Sequence, residues 1–154
     1  MIIWLASYPR SGNTFFRVLL NSVFAKKTYS VYDDKFDIGA DKELSNIVGH
    51  KFLPDGFTID QARCSDSVFI LKTHDYPLEI SADDKVIYLL RDGRESVLSY
   101  FNFHNDYMDQ PKCLLDIIAG DTQFGGWGEH VMAWEPDTRA NTLLVKFEDL
   151  VSNP

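Results

Sequence analysis

The feature that most constrains this chain is a recurring unit: a short apolar run, then a polar loop carrying a cation, then a segment with helical spacing. Ile2 to Ala6 is the first such run, closed by the turn signal Tyr8-Pro9. Asn13 to Phe24 follows, with Phe15, Val18, Leu19, Ser22 and Val23 at the three-and-four spacing of one helix face. A second run, Val68 to Leu71, ends in Lys72-Thr73-His74, and a third, Lys85 to Leu90, ends in Arg91-Asp92-Gly93-Arg94. Asp92 and Glu95 then stand three apart, the spacing of a capping box, before a helix through Ser96 to Phe101. Further helices are expected at Lys42 to Val48, at Lys112 to Ala119 and after Gly125, Gly126 and Gly128, with a fourth strand at Thr142 to Val145. Nothing else between Thr28 and Ser67 carries a clear period. Strands separated by helices run parallel, because a parallel connection needs a crossover. The expected fold is therefore α/β, a central parallel sheet with helices on both faces.

With 154 residues, 45% hydrophobic and 25% charged, the chain can bury the core of one domain spanning residues 1–154. Its 15 Lys and Arg against 23 Asp and Glu give a net charge of -8, which repels a polyanion at long range and argues against nucleic acid as a partner. A small anion is a different matter, since a few local donors hold it at short range. No apolar run reaches the roughly 20 residues of a membrane span. Met1 to Ser7 lacks the basic and long apolar regions of a signal peptide. Cys64 and Cys113 stand in no metal or redox spacing, so free thiols and a cytoplasmic location are expected, with no membrane as partner.

In an open parallel sheet, ligands sit beyond the carboxyl ends of the strands. Here those ends are Tyr8 to Thr14, Lys72 to His74 and Arg91 to Arg94, and each carries a cation. In the first, a strand passes to a helix through Ser11-Gly12, so backbone N–H groups and the positive helix end can wrap a phosphate-like group. The pattern differs from G-x-x-x-x-G-K-[ST]: Ser7 stands at its first Gly and Asn13 at its Lys. The plainer alternative is a tight turn with a surface Arg10. His74 has the pKa of a natural general base, and Lys72 two residues earlier favours its neutral form; equally, it is a solvated strand-end histidine. Arg91 with Ser99 offers a charge and a hydroxyl to one phosphate, or else Arg91 is an ion-pair partner. Arg17 reaches the same loop or pairs with an acid. His50 and His104 are expected to be solvated, Asp33, Asp34, Asp83 and Asp84 to be solvated acidic turns, and Trp127, His130 and Trp134 to pack as one helix face.

Taken in order, these segments resemble the sulfotransferases that use 3'-phosphoadenosine 5'-phosphosulfate (PAPS). Tyr8-Pro9-Arg10-Ser11-Gly12-Asn13-Thr14 is similar to their 5'-phosphosulfate loop, Leu71-Lys72-Thr73-His74 to the segment bearing the catalytic histidine, and Arg91 through Ser99 to the 3'-phosphate motif. Gly126-Trp127 with His130 and Trp134, and Phe147-Glu148-Asp149-Leu150 with Asn153-Pro154, resemble two later segments, so the match runs from Trp4 to Pro154. The resemblance implies a P-loop NTPase-like three-layer αβα fold and transfer of a sulfuryl group from PAPS to a hydroxyl or amine of a small-molecule acceptor, leaving adenosine 3',5'-bisphosphate (PAP). It implies His74 as general base, Arg10 and Lys72 as charge-neutralising groups, and backbone N–H groups of Ser11, Gly12, Asn13 and Thr14 on the 5'-phosphate. Arg91 and Ser99 would hold the 3'-phosphate, with the Thr14 hydroxyl on the 5'-phosphate and Phe15 on the adenine. No metal is implied. Arg10 stands where many members have Lys, Phe15 where Trp is frequent, and the family's later basic, glycine-containing lid segment is expected to be missing. Two alternatives stand beside this one: a catalytically inactive nucleotide-binding or interaction module of the same origin, and a P-loop kinase. The sequence sets no oligomeric state. The acceptor pocket is expected in the loops 28–67 and 102–112.

Overall fold

A computed structural model describes residues 1–32, 38–77 and 80–153. Asp33, Asp34 and Pro154, singled out above, lie outside the described residues. In chain order the elements are β1 (Ile2–Ser7), α1 (Asn13–Phe24), β2 (Thr28–Ser30), α2 (Lys42–Val48), β3 (His50–Lys51), α3 (Ile59–Cys64), β4 (Phe69–Thr73), β5 (Lys85–Leu90), α4 (Gly93–Tyr107), α5 (Leu114–Ala119), α6 (Trp127–Trp134), β6 (Thr142–Lys146) and α7 (Phe147–Ser152). The sheet order is β3-β2-β4-β1-β5-β6, and every pairing is parallel.

β1 is central and alternates strictly. Ile2, Trp4 and Ala6 join Leu71, Val86, Tyr88, Ala62 of α3 and Trp134 of α6 on one face. Ile3 and Leu5 join Ile70, Leu89, and Phe16 and Leu20 of α1 on the other. Both faces are thus covered, which is why the strands read as continuous apolar runs. Each fully buried side chain of this kind contributes roughly 1.5–3 kcal/mol. A third cluster, Tyr8, Tyr100 and Ile117, caps the carboxyl end of the sheet beneath α4 and α5. This is the three-layer α/β/α arrangement expected from the pattern of runs.

Several local expectations need correction. The inward face of α1 is not the predicted one: Phe15 and Val23 are exposed, while Asn13, Phe16, Arg17 and Leu20 turn inward. Two of those four are polar, so the apolar period pointed one position off. Between Thr28 and Ser67 three further elements exist, β2, β3 and α3; the two strands are only three and two residues long. α4 continues to Tyr107, so His104 is helical and buried, and most of the segment 102–112 is not loop. Asp92 does cap α4, accepting from Arg94 N–H at 2.9 Å, but the reciprocal partner is not Glu95. Glu148 of α7 takes that role, accepting from Asp92 N–H at 2.9 Å, while Glu95 meets Arg91 at 3.5 Å.

Asp84 is likewise buried rather than solvated. It accepts from Trp4 Nε1–H at 2.9 Å, Arg63 Nη2 at 2.9 Å and Ser81 N–H at 3.1 Å. Burial alone would raise its pKa; Arg63 and the other donors outweigh that and hold the carboxyl below its ordinary value. Trp127, His130 and Trp134 pack as expected, with His130 and Trp134 fully buried and the Trp127 ring against Gly93.

Candidate functional site

The carboxyl ends of β1, β4 and β5 lie side by side, with Ala6 in register with Thr73 and Ser7 with Leu89. The chain leaves β1 toward β2 on one flank and later returns across it to β5 on the other, so this is where strand order reverses.

The loop after β1 is tightly specified. Ser11 N–H donates to Tyr8 O at 3.3 Å, and the buried Ser11 hydroxyl meets the Ser96 hydroxyl of α4 at 3.2 Å. Asn13 Nδ2 donates to Leu5 O and to Ser7 Oγ, tying the first turn of α1 back onto β1. Gly12 has φ +92°, and a Cβ there would also run into the Phe147 ring, so no other residue fits without displacing α7. Arg10 has φ +64°, in the left-handed region that non-glycine residues enter only when their surroundings hold them there. What holds it is Arg91, whose Nη1 donates to Arg10 O at 3.0 Å, and Ser99, whose Oγ accepts from Arg10 Nε at 3.3 Å.

The first intrahelical bond of α1 runs from Phe16 N–H to Gly12 O at 3.0 Å. The N–H groups of Asn13, Thr14 and Phe15 therefore have no intrahelical acceptor, and among the described residues no side chain caps them. Thr14 and Phe15 are exposed beside this turn, and Phe15 meets Phe147 edge-on at 6.4 Å. Three free N–H groups at a positive helix end form a cradle suited to a phosphate-like group. Arg91 lies with its guanidinium 4.8 Å from the Phe147 ring centroid, and Arg10 lies 4.9 Å from that of Phe103. Arg10, Arg91 and Ser99 thus form one cluster on the β5 side.

The second cluster is on the β4 side. Lys72 is 6% exposed, in register with Leu5, and its Nζ stands 4.2 Å from the Tyr32 ring centroid. His74 is half-buried just past the strand. Its Nδ1–H donates to Ser7 O at 2.8 Å and lies 3.2 Å from Ser7 Oγ, which leaves Nε2 as the accepting nitrogen of the neutral ring. No described residue hydrogen-bonds Nε2. Burial, and next the charge of Lys72, push the His74 pKa well below 6.5, against the opposing pull of the Ser7 carbonyl. Phe124 meets the imidazole edge-on at 5.6 Å, and Tyr32 flanks it at 6.5 Å. Asn13, bonded to Ser7, links the two clusters.

All the predicted site residues therefore gather at one end of the sheet, but Arg17 does not join them. It is fully buried, with Nε donating to Thr28 Oγ1 at 2.8 Å and Nη2 to His50 Nδ1 at 2.9 Å. His50 is buried too, in β3 rather than in solvent. Tyr32 and Phe124 were not predicted, and only the aromatics of their loops hinted at them; Ser96 and Phe147 lie in matched segments but were given no part in the site. An apolar groove of about 710 Å³, lined by Leu98, Leu114, Ile118 and Trp127, lies on the face of α4 turned away from Ser96 and Ser99. Among the described residues no three His, Cys, Asp or Glu side chains converge as metal ligands, and no helix is long and apolar enough to cross a membrane. Cys64 and Cys113 are free and exposed.

Comparison with known proteins bears on the whole chain. Residues 2–154 match the family described as the sulfotransferase domain. Sulfotransferase 1 family member D1 of Mus musculus is 25% identical over 167 residues, covering 99% of this chain and 54% of that protein. WSCD family member CG9164 of Drosophila melanogaster is 32% identical over 157 residues, covering 96% of this chain and 44% of that protein. Two solved structures share the fold: mouse sulfotransferase SULT7A1 complexed with PAP (TM-score 0.64, 21% identity, 99% of this chain and 53% of that one) and retinol dehydratase in complex with retinol and PAP (TM-score 0.62, 20% identity, 99% and 56%). The chain spans about half the length of the relatives it matches. Its fold is accordingly the P-loop NTPase-like α/β/α sandwich, and the match over residues 2–154 makes the chain a member of the sulfotransferase family.

Proposed function

We propose that this domain binds PAPS across the ends of β1 and β5 and supports transfer of its sulfuryl group to a hydroxyl or amine of a small-molecule acceptor, with His74 as general base. The observation that carries this reading is the state of His74: its Nδ1–H is committed to the Ser7 carbonyl, so Nε2 is the proton-accepting atom, beside the phosphate-compatible loop. In the transfer the acceptor oxygen or nitrogen forms a bond to sulfur, the bond from sulfur to the phosphate oxygen breaks, and the acceptor proton passes to Nε2. The N–H groups of Gly12, Asn13 and Thr14 would hold the 5'-phosphate, to which Thr14 adds its hydroxyl, while the Ser11 N–H stays on the Tyr8 carbonyl and shapes the loop. Arg10 and Lys72 would balance the charge on the sulfuryl oxygens and on the departing phosphate. Arg91 and Ser99 would take the 3'-phosphate, and Phe15, exposed on α1, the adenine.

Similar proteins bind compatible ligands: SULT7A1 and retinol dehydratase were solved with PAP, and the latter also with retinol or androsterone. Tyr32 and Phe124 flank His74 with ring faces and edges, which suits an apolar or phenolic acceptor. The free, exposed thiols suit a reducing compartment such as the cytoplasm.

Calorimetric titration with PAP and with ADP tests the donor site. A charge-assisted contact to the 3'-phosphate is worth about 1.5–3 kcal/mol, so PAP is expected to bind roughly 10- to 100-fold more tightly than ADP. Arg91→Ala should erase the difference by weakening PAP more than ADP; because Arg91 also holds the Arg10 carbonyl, some loss of ADP affinity is expected alongside. Equal affinity of the unaltered protein for the two nucleotides overturns the assignment.

A further inference from the structure

β4 ends at Thr73, so the carbonyls of His74 and Asp75 lie beyond the sheet ladder. One face of α6 meets both. His130 Nε2–H donates to His74 O at 3.0 Å, and Trp134 Nε1–H, one helical turn later, donates to Asp75 O at 3.0 Å. Successive carbonyls of an extended chain point opposite ways, so one helix can catch both only if the chain bends after Thr73. The bend is present, with the Thr73 hydroxyl accepting from Asp75 N–H at 3.0 Å.

The donors are themselves fixed. The Tyr88 hydroxyl donates to His130 Nδ1 at 2.8 Å, which places the single proton of the neutral ring on Nε2, facing His74 O. Tyr88, His130 and Trp134 are 0%, 0% and 1% exposed. Burial draws the His130 pKa down to about 4 and raises that of Tyr88, so neither changes charge between pH 5 and 8. An apolar side chain would fill this space without needing partners; a buried Tyr–His pair is tolerated because each polar atom is satisfied, and here the last acceptor in the chain is the main chain of His74.

We propose that His130 and Trp134 are positioning residues for His74: their paired ring N–H groups set the path of the chain as it leaves β4, and thereby the reach of the His74 imidazole to the Ser7 carbonyl. This deepens the reading of His74 as the general base and rests on it.

The test uses the full chain with His130→Leu, His130→Gln and Trp134→Phe. Glutamine keeps a side-chain N–H near the place of Nε2; Trp134→Phe keeps an aromatic ring while removing the donor and part of the ring volume. The first readout is ¹⁵N-detected histidine ring NMR of the nucleotide-free protein, in which His74 should carry its proton on Nδ1. His130→Leu and Trp134→Phe should each replace that signature with exchanging tautomers, and His130→Gln should retain it. The second readout is kinetic: a displacement of the base by about 1 Å costs on the order of 10²-fold, so kcat should fall to that extent in His130→Leu while PAP affinity stays unchanged, with partial recovery in His130→Gln. An unchanged His74 signature in both donor-deleting variants overturns the proposal, as does a loss of PAP affinity that parallels the loss of kcat. The NMR result decides the positioning role without any turnover, whereas full activity of a His74 variant would overturn the general-base reading alone.

Discussion

His74→Ala is expected to lower sulfuryl transfer by about 10²–10⁴-fold, the usual worth of a positioned general base, while PAP binds as before. The two effects separate because the imidazole belongs to the β4 cluster and the phosphate contacts belong to the loop after β1 and the end of β5. Transfer of radiolabelled sulfate from PAPS to a panel of phenols, alcohols and amines measures the first, and calorimetry the second. A variant as active as the parent sinks the base assignment. Nucleotide binding without turnover on any acceptor, in the unaltered protein, would instead favour a catalytically inactive binding module.

Lys72→Met should cost a comparable amount, about 10²–10³-fold in kcat, because in the proposed role its buried cation would balance developing charge in a low-dielectric site. Methionine keeps the apolar stem and the volume against Tyr32. This change also has a signature in pH. In the parent, burial and then the Lys72 charge keep the His74 pKa low, so the ring is neutral and competent over the neutral range and loses activity only as pH falls through that low value. Removing the cation lets the pKa rise, and the acid limb of the kcat profile moves to higher pH. A profile whose acid limb stays in place would show that Lys72 does not act on His74 electrostatically, whatever its effect on rate.

The sheet and the three strand ends were legible because they rest on local signals: apolar runs long enough to be buried on both faces, and cations standing just past them. What escaped had no local signal. The inward face of α1 uses Asn13 and Arg17, and a hydrophobic period cannot report a face built from polar side chains that donate to Leu5 O, Ser7 Oγ, Thr28 and His50. β2 and β3 are too short to show any alternation. Asp84 reads as a surface acid until Trp4 and Arg63, 80 and 21 residues away, are brought to it. The capping partner of Asp92 is Glu148 rather than Glu95 for the same reason: α7 lies beside the start of α4 only in the folded chain. Tyr32 and Phe124 enter the His74 environment from loops whose sequences carry aromatics without any spacing to place them.

The contact between Gly12 and the Phe147 ring carries a consequence for how the protein acquires its binding loop. Position 12 follows the first strand and position 147 opens the last described helix, so this contact closes one of the longest loops available to the chain. Such closures are slow, since their entropy must be spent before the contact returns anything. The packing around the left-handed turn at Gly12 is therefore complete only when β6 and α7 are in place. A nucleotide held in the proposed cradle would therefore stabilise the segments around Gly12 and Phe147 together rather than one loop.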